Sequence, residues 1–284
     1  MIRILTDTSA NLPPELVKKY GIEVLPFTYN YNNSDMKPKD DFDGKSFYDA
    51  MRAGSPVTTA LINVGTYIDC FEKHLAAGDD VINICMSGGI SGSANSAATA
   101  VSDVAERYPE RRIISIDTYA ASLGEGLQAL VAAQMNERGA GFDEIVAKMY
   151  EMREKMCQYF TVDDLQYLRR GGRISGATAL IGTMLNIKPI LQGDETGHII
   201  MCDKARGMKH ALKALAEKYD KLCADKSAPL GIAHADNPEG LEMLVKLLRE
   251  RGFTGEPINV MYEPVTGSHV GPGTVALFFP GIQK

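Results

Sequence analysis

The chain has 284 residues, 45% of them apolar, which is enough to build one large core or two medium ones. Its net charge of −6 argues against nucleic acid or an anionic membrane surface as the main partner. No apolar run approaches the ~20 residues of a membrane span. The five cysteines (Cys70, Cys85, Cys157, Cys202 and Cys223) are too scattered for a disulfide framework or a CxxC metal site.

The opening MIRILTDT already reads as a strand, so no signal peptide is expected, and a cytoplasmic, reducing compartment fits the free cysteines. Ile2 to Thr6 is that strand, with Asp7, Thr8 and Ser9 just past its end. Pro13 and Pro14 start a helix that Gly21 stops. IEVLPFTYNY reads as one strand, followed by a polar, turn-like stretch to Asp43. Ser46 is the expected cap of a short helix ending near Gly54, and Asn63 of another running through Leu75. Val81, Ile82, Ile84, Cys85 and Met86 then form a short apolar run typical of a buried strand. Ser87 to Ala97 is small and polar and leads into a helix. RRIISIDT is the next strand, and a helix runs from about Ser122 to Arg138. Phe142, Ile145, Val146, Met149 and Met156 fall at helical spacing between Gly141 and Cys157. This alternation indicates a largely parallel, doubly wound sheet.

The second half changes character. DLQYLRRGGRISG is a helix ending in a basic, glycine-rich corner, and the small-residue helix ATALIGTML follows it. Lys188 to Leu191 and His198 to Cys202 read as neighbouring strands around a glycine turn. Met208, Leu212, Leu215, Tyr219 and Leu222 make one apolar helical stripe. APLGIAHAD and PINVMYEP are strands flanking the helix Pro238 to Arg251, and GSHVGPGTVALFF is a loop running into a final strand. The fold class is therefore α/β, with two closely packed domains. Residues 1–157 form the doubly wound unit, and residues 158–284 a smaller α/β unit.

Several motifs offer chemistry. Between the strand at 81–86 and the helix after it, Ser87, Ser91, Ser93 and Ser96 alternate with Gly88, Gly89 and Gly92. A helix cap needs one hydroxyl, so the excess points to an anion-binding turn at a helix N-terminus. Gly44-Lys45-Ser46 ends like a P-loop, but Lys39 stands where the first glycine is required. Gly124 to Ala129 matches a dinucleotide fingerprint, yet it starts six or seven residues after its strand rather than directly off it. No cofactor is expected. The histidines show no HExxH spacing, so no metal is expected either. His74, His198 and His210 read as surface residues and His234 as a weak cleft candidate. His269 stands on a glycine-rich loop. Paired with Ser91 and a carboxylate such as Asp7, it would give a serine-hydrolase triad, although no G-x-S-x-G elbow is present.

In order along the chain, TDTSANLP, SPVTTALIN, ISGSANSA, DTYAASLGEG, YLRRGGRIS with LNIKPIL, and SHVGPGTVALFF resemble the motif series of the DegV family of bacterial fatty-acid-binding proteins. The resemblance covers the whole chain. It implies a long-chain fatty acid buried between two domains, and a non-catalytic protein that presents the acid to a separate fatty acid kinase. Carried over, Thr58 and Ser91 hold the carboxylate, with Thr59, Gly92 and Ser93 adjoining. His269 matches the family's HTGPG histidine, and Arg173 its GGRI arginine at the head-group periphery. TTALI replaces TSQPS, and HVGPG lacks the threonine after histidine, so chain-length preference is not carried over. Leu61, Ile62 and Ile90 are tunnel-wall candidates near the head group, and Leu180, Ile181, Met184 and Leu185 candidates further on. The alternative is an acyl-processing enzyme using Ser91 and His269.

Overall fold

The computed structural model describes residues 1–31, 42–174 and 186–283. The first half alternates as its apolar runs dictate. Strand β1 (Ile2–Asp7) leads to helix α1 (Pro14–Tyr20), followed by β2 (Glu23–Leu25) and β3 (Thr28–Tyr31). Helix α2 (Gly44–Arg52), β4 (Val57–Ala60), α3 (Val64–Ala76), β5 (Asp80–Cys85) and α4 (Ser93–Arg107) come next. Then follow β6 (Ile113–Asp117), α5 (Leu123–Glu137) and α6 (Phe142–Lys155). Four of these strands form an all-parallel sheet in the order β2-β1-β5-β6. Val81, Ile82 and Ile84 are wholly buried because β5 is an inner strand covered on both faces.

IEVLPFTYNY is not one strand. The break falls at Pro26 and Phe27, and β3 turns away to pair antiparallel with β4 as a separate two-stranded ribbon. Proline cannot donate to a ladder, which is why pairing stops there. Asp43, not Ser46, caps α2: its carboxylate accepts from the Ser46 amide and hydroxyl. Asn63 caps α3 as expected, accepting from the Thr66 amide at 3.0 Å.

The second half contains β7 (Met156–Thr161), a short α7 (Gln166–Arg170), β8 (Ile187–Gly193), β9 (Ile199–Arg206) and α8 (Met208–Leu222). It ends with β10 (Gly231–His234), α9 (Pro238–Glu250), β11 (Ile258–Met261), α10 (Pro264–Val270) and β12 (Val275–Pro280). Six strands form a mixed sheet in the order β11-β10-β12-β7-β8-β9, parallel only between β10 and β11. Strand β7 was hidden in the helical pattern before it. The helix stops at Lys155, and MCQYFT pairs along its whole length with β12. The second sheet thus starts at Met156, two residues before the expected boundary at 157/158. The expected helix at 177–185, with Leu180, Ile181, Met184 and Leu185, lies outside the described residues.

Helix α5 is buried on nearly all sides because it packs on β1 and β5 and also reaches β7, β10 and β12. Gly126 shows why this helix carries the sequence that mimicked a dinucleotide motif. A Cβ there would stand 2.4 Å from the Ala10 carbonyl oxygen, so the glycine permits helix and chain to touch.

Candidate functional site

A cavity of about 210 Å³ lies between the two halves. Most of its wall is apolar. Phe27, Met86 and Ile90 come from the first half, and Phe160, Ile199 and Phe278 from the second. Polar groups are gathered on Thr59, Ser91, Gly92, Arg173, Thr266 and His269.

Secondary structure sets which side chains arrive. On β4 successive side chains point to opposite faces. Thr58 is exposed, while Thr59 lines the cavity and its Oγ1 lies 3.0 Å from His269 Nε2. Of the two threonines expected near the head group, Thr59 faces the cavity and Thr58 does not. Ser91 precedes α4 and is buried. Its Oγ accepts from the Ser93 amide and donates to Ser93 Oγ, both at 3.2 Å. Ser93 does not line the cavity. Its hydroxyl accepts instead from the Ile62 amide at 3.2 Å, tying the loop after β4 to the start of α4. Ile62 is core beside it, whereas Leu61 and Ile90 are part of the cavity wall. Of the four serines of the turn, only Ser91 lines the cavity. Ser87 donates to the Gly197 carbonyl at 3.0 Å and fixes the turn.

His269 is not on a loop. It occupies the last turn of α10, which Glu263 caps by accepting from the Val265 and Thr266 amides and which Pro264 begins. Burial, and then the neighbouring Arg173 charge, pull its pKa down to about 4, so the ring is neutral at physiological pH. Gly171 packs on that ring, where a Cβ would stand 2.4 Å from Nδ1. Arg173 is half-buried rather than a solvated helix-end charge. Its Nε donates to the Ile90 carbonyl at 3.0 Å and its Nη1 to Gly171, and among the described residues it has no carboxylate partner. Burial lowers its basicity, but a guanidinium stays charged.

Thr266 and Ser122 are among the cavity residues that the sequence did not single out. Thr266 is one turn before His269 on α10, and its buried Oγ1 finds no partner among the described residues. Ser122 stands at φ 52 before α5 and donates to Asn11 Oδ1 at 2.8 Å. Had Glu263-Pro264 been read as a helix start, the spacing of three to His269 would have found Thr266.

Ser91 and His269 share the cavity wall without a hydrogen bond joining them. Asp7, the carboxylate of the triad alternative, is engaged elsewhere with Glu125. Glu125 accepts from Thr6 Oγ1 at 2.9 Å and Asp7 from the Ser9 amide at 2.9 Å, while the Ser9 hydroxyl lies between the two carboxyls, 2.5 Å from Asp7 and 3.0 Å from Glu125. Burial pushes Asp7 up to about 6. Burial and the Asp7 charge hold Glu125 well above the usual carboxylate range. The Asp7 charge opposes ionisation of Glu125, so Glu125 keeps its proton to the higher pH of the two.

Of the other histidines, His74 corrects the surface reading: it is buried, with Nε2 2.5 Å from Glu23 Oε2. His198 and His210 are exposed. His234 is buried on β10, accepts from the Asn237 amide and does not line the cavity. Among the described residues, no helix is long and apolar enough to cross a membrane.

Fold and site together define an α/β protein of two large sheets and a two-stranded ribbon, built around an internal apolar cavity with a cationic, hydroxyl-bearing stretch of wall. The profile of the family described as "Uncharacterised protein, DegV family" matches residues 1–280, and the chain belongs to the DegV family. A DegV domain-containing protein of Clostridium perfringens is 36% identical over 284 residues, 99% of this chain and 98% of that one. Among solved structures, a DegV family protein from Thermus thermophilus, described by its fatty acid binding, superposes with a TM-score of 0.89. It shows 26% identity over 99% of both chains. A DegV family protein of Ruminococcus gnavus, described with vaccenic acid, has a TM-score of 0.86 and 25% identity over 98% of this chain and 99% of that one.

Proposed function

We propose that this protein binds a long-chain fatty acid in the cavity and presents its head group to a separate kinase, without itself catalysing a reaction. The carboxylate is held by Thr59, Ser91, Thr266 and His269, with the Gly92 backbone and Arg173 beside them. The tail lies along Ile90, Met86, Phe160 and Phe278. The observation that carries this reading is Arg173, a half-buried cation without a carboxylate partner among the described residues, on the wall of an otherwise apolar cavity.

The chemistry follows from desolvation. A carboxylate leaving water needs several fixed donors or a counter-charge. Arg173 supplies the charge, and Ser91, Thr59 and the unpartnered Thr266 supply hydroxyls. A neutral His269 donates through whichever nitrogen carries its proton. The tail brings most of the affinity: at roughly 0.8 kcal/mol per buried CH₂, a dozen methylenes outweigh any one polar contact before ordering costs. The fatty acids named for the relatives support the same ligand class.

Calorimetric titration with palmitate tests the binding claim. One site per chain is expected, weakened in both Ser91→Ala and Arg173→Gln, and unchanged affinity in both folded variants would refute the assigned head-group position. Adding a bacterial fatty acid kinase with ATP tests presentation. Acyl phosphate should form only with the protein present, and its absence despite tight palmitate binding would remove the kinase role.

A further inference from the structure

We propose that Glu23, Cys70 and His74 form a binding site for a divalent transition metal of the zinc class, tying α3 to the edge strand β2. Cys70 and His74 are one turn apart on the same face of α3, and Glu23 reaches them from β2. One ligand atom from each, Sγ, Nε2 and a carboxylate oxygen, all lie within 4.8 Å of one another. None of the three lines the fatty-acid cavity. Histidine-to-histidine spacing carries no trace of such a site, whose pair is Cys-x-x-x-His and whose third member lies 47 residues away from Cys70.

The spans suit a small tetrahedral ion. With metal bonds of about 2.0–2.3 Å, ligand atoms of a tetrahedron stand roughly 3.3–3.7 Å apart. Cys70 Sγ is 3.6 Å from Glu23 Oε1, within that range. His74 Nε2 is 2.5 Å from the other oxygen, Glu23 Oε2, so this contact must open and the carboxylate rotate to leave a single oxygen on the ion. The donor set decides the class. Sulfur with nitrogen excludes calcium and magnesium, which take oxygen, and suits zinc and its borderline neighbours. Thiolate and carboxylate together neutralise a divalent charge, and the imidazole binds neutral.

Binding releases the Cys70 proton to solvent, moves the His74 proton from Nε2, where it faces Glu23, to Nδ1 by exchange with water, and displaces one ammonium. Burial and the Glu23 charge push the Cys70 thiol up to about 12, so the metal must displace its proton, which leaves to solvent. His74 turns its Nε2 lone pair to the metal, with its own proton on Nδ1. Lys73, now 3.1 Å from Glu23 Oε1 and largely exposed, swings out. A water completes the tetrahedron from the open side of Glu23, whose side chain is 36% exposed.

The test uses the full chain, stripped with EDTA and titrated with Co²⁺ alone. A thiolate-to-cobalt charge-transfer band should saturate at one equivalent and be erased by one equivalent of Zn²⁺. Cys70→Ser should abolish the band, and Cys223→Ser should leave it intact. Glu23→Gln and His74→Gln should each weaken binding at least tenfold, whereas Lys73→Gln should tighten it by removing the competing ammonium. Should Cys70→Ser fail to fold by circular dichroism, the Glu23 and His74 variants decide. No band at one equivalent, or a band surviving in Cys70→Ser or in both of the other ligand variants, overturns the site.

Discussion

At Asp7 and Glu125, two carboxyl groups are wholly buried among hydroxyl and amide donors, with no cation partner among the described residues. At Arg173 the arrangement is inverted: a guanidinium and three hydroxyls face an open cavity with no carboxylate. The acid pair is satisfied from within, by the Thr6 and Ser9 donors and by Glu125 holding its proton, so it is closed and structural. The cavity wall has no such internal balance, and the fatty-acid carboxylate proposed above would supply it. Unbalanced buried charge beside empty apolar volume is what separates a binding function from a polar core.

The two regions respond to pH with opposite sign, which gives the largest expected effect. An acid whose pKa is raised by folding holds more protons folded than unfolded. Between pH 3.8 and about 6, Asp7 therefore makes stability fall as pH climbs, and Glu125 extends that fall upward. His269, pulled from 6.5 to about 4, does the reverse: its contribution is present above pH 6.5 and is lost as pH falls toward 4. A pKa displaced by one unit is worth about 1.4 kcal/mol, so Asp7 and His269 each move stability by a few kcal/mol across their windows. Urea denaturation from pH 4 to pH 8 should show Glu125→Gln flattening the fall with rising pH and His269→Gln removing the rise. Identical pH profiles for both variants and the wild type would break the comparison.

The next effect is on affinity. Arg173→Gln should weaken palmitate binding by about 1.5–3 kcal/mol, the range for hydrogen bonds to a charge, while leaving unfolding at neutral pH almost unchanged. A loss of stability without a loss of affinity would make Arg173 a structural group like the acid pair. Smaller again is the effect of register on β4. Thr59→Val should cost about 1 kcal/mol of palmitate binding and Thr58→Val none, read by calorimetry. The reverse order would restore Thr58 to the site. The smallest effect is at Tyr67, whose buried hydroxyl near Asp7 has no partner among the described residues. Tyr67→Phe should leave stability within about 0.5 kcal/mol, because no hydrogen bond is lost.

Much of this was legible in the residues. The alternation of apolar runs and capped helices gave the parallel sheet, and Ser91, Thr59, Gly92, Arg173 and His269 all reach the cavity. Failures came where local pattern is ambiguous. Two consecutive threonines leave strand register open, and a shift of one residue exchanges the faces. Setting Thr59 rather than Thr58 against the first threonine of TSQPS also puts Asn63, the cap of α3, against the last serine. Strand β7 directly continues α6, so no turn residue marked the change. Glycines in GSHVGPG suggested a loop although Glu263 and Pro264 carry a helix start. The acid pair was invisible because Asp7 and Glu125 are 118 positions apart, as their numbering in the sequence shows, and no local rule links such positions.

A crystal structure of the protein with palmitate tests the central claim most directly. The carboxylate should lie within hydrogen-bond distance of Ser91 and Thr59 and beside Arg173 and His269, with the tail running along Phe160 and Phe278. A head group turned away from Arg173, or an acid bound outside this cavity, would contradict the account.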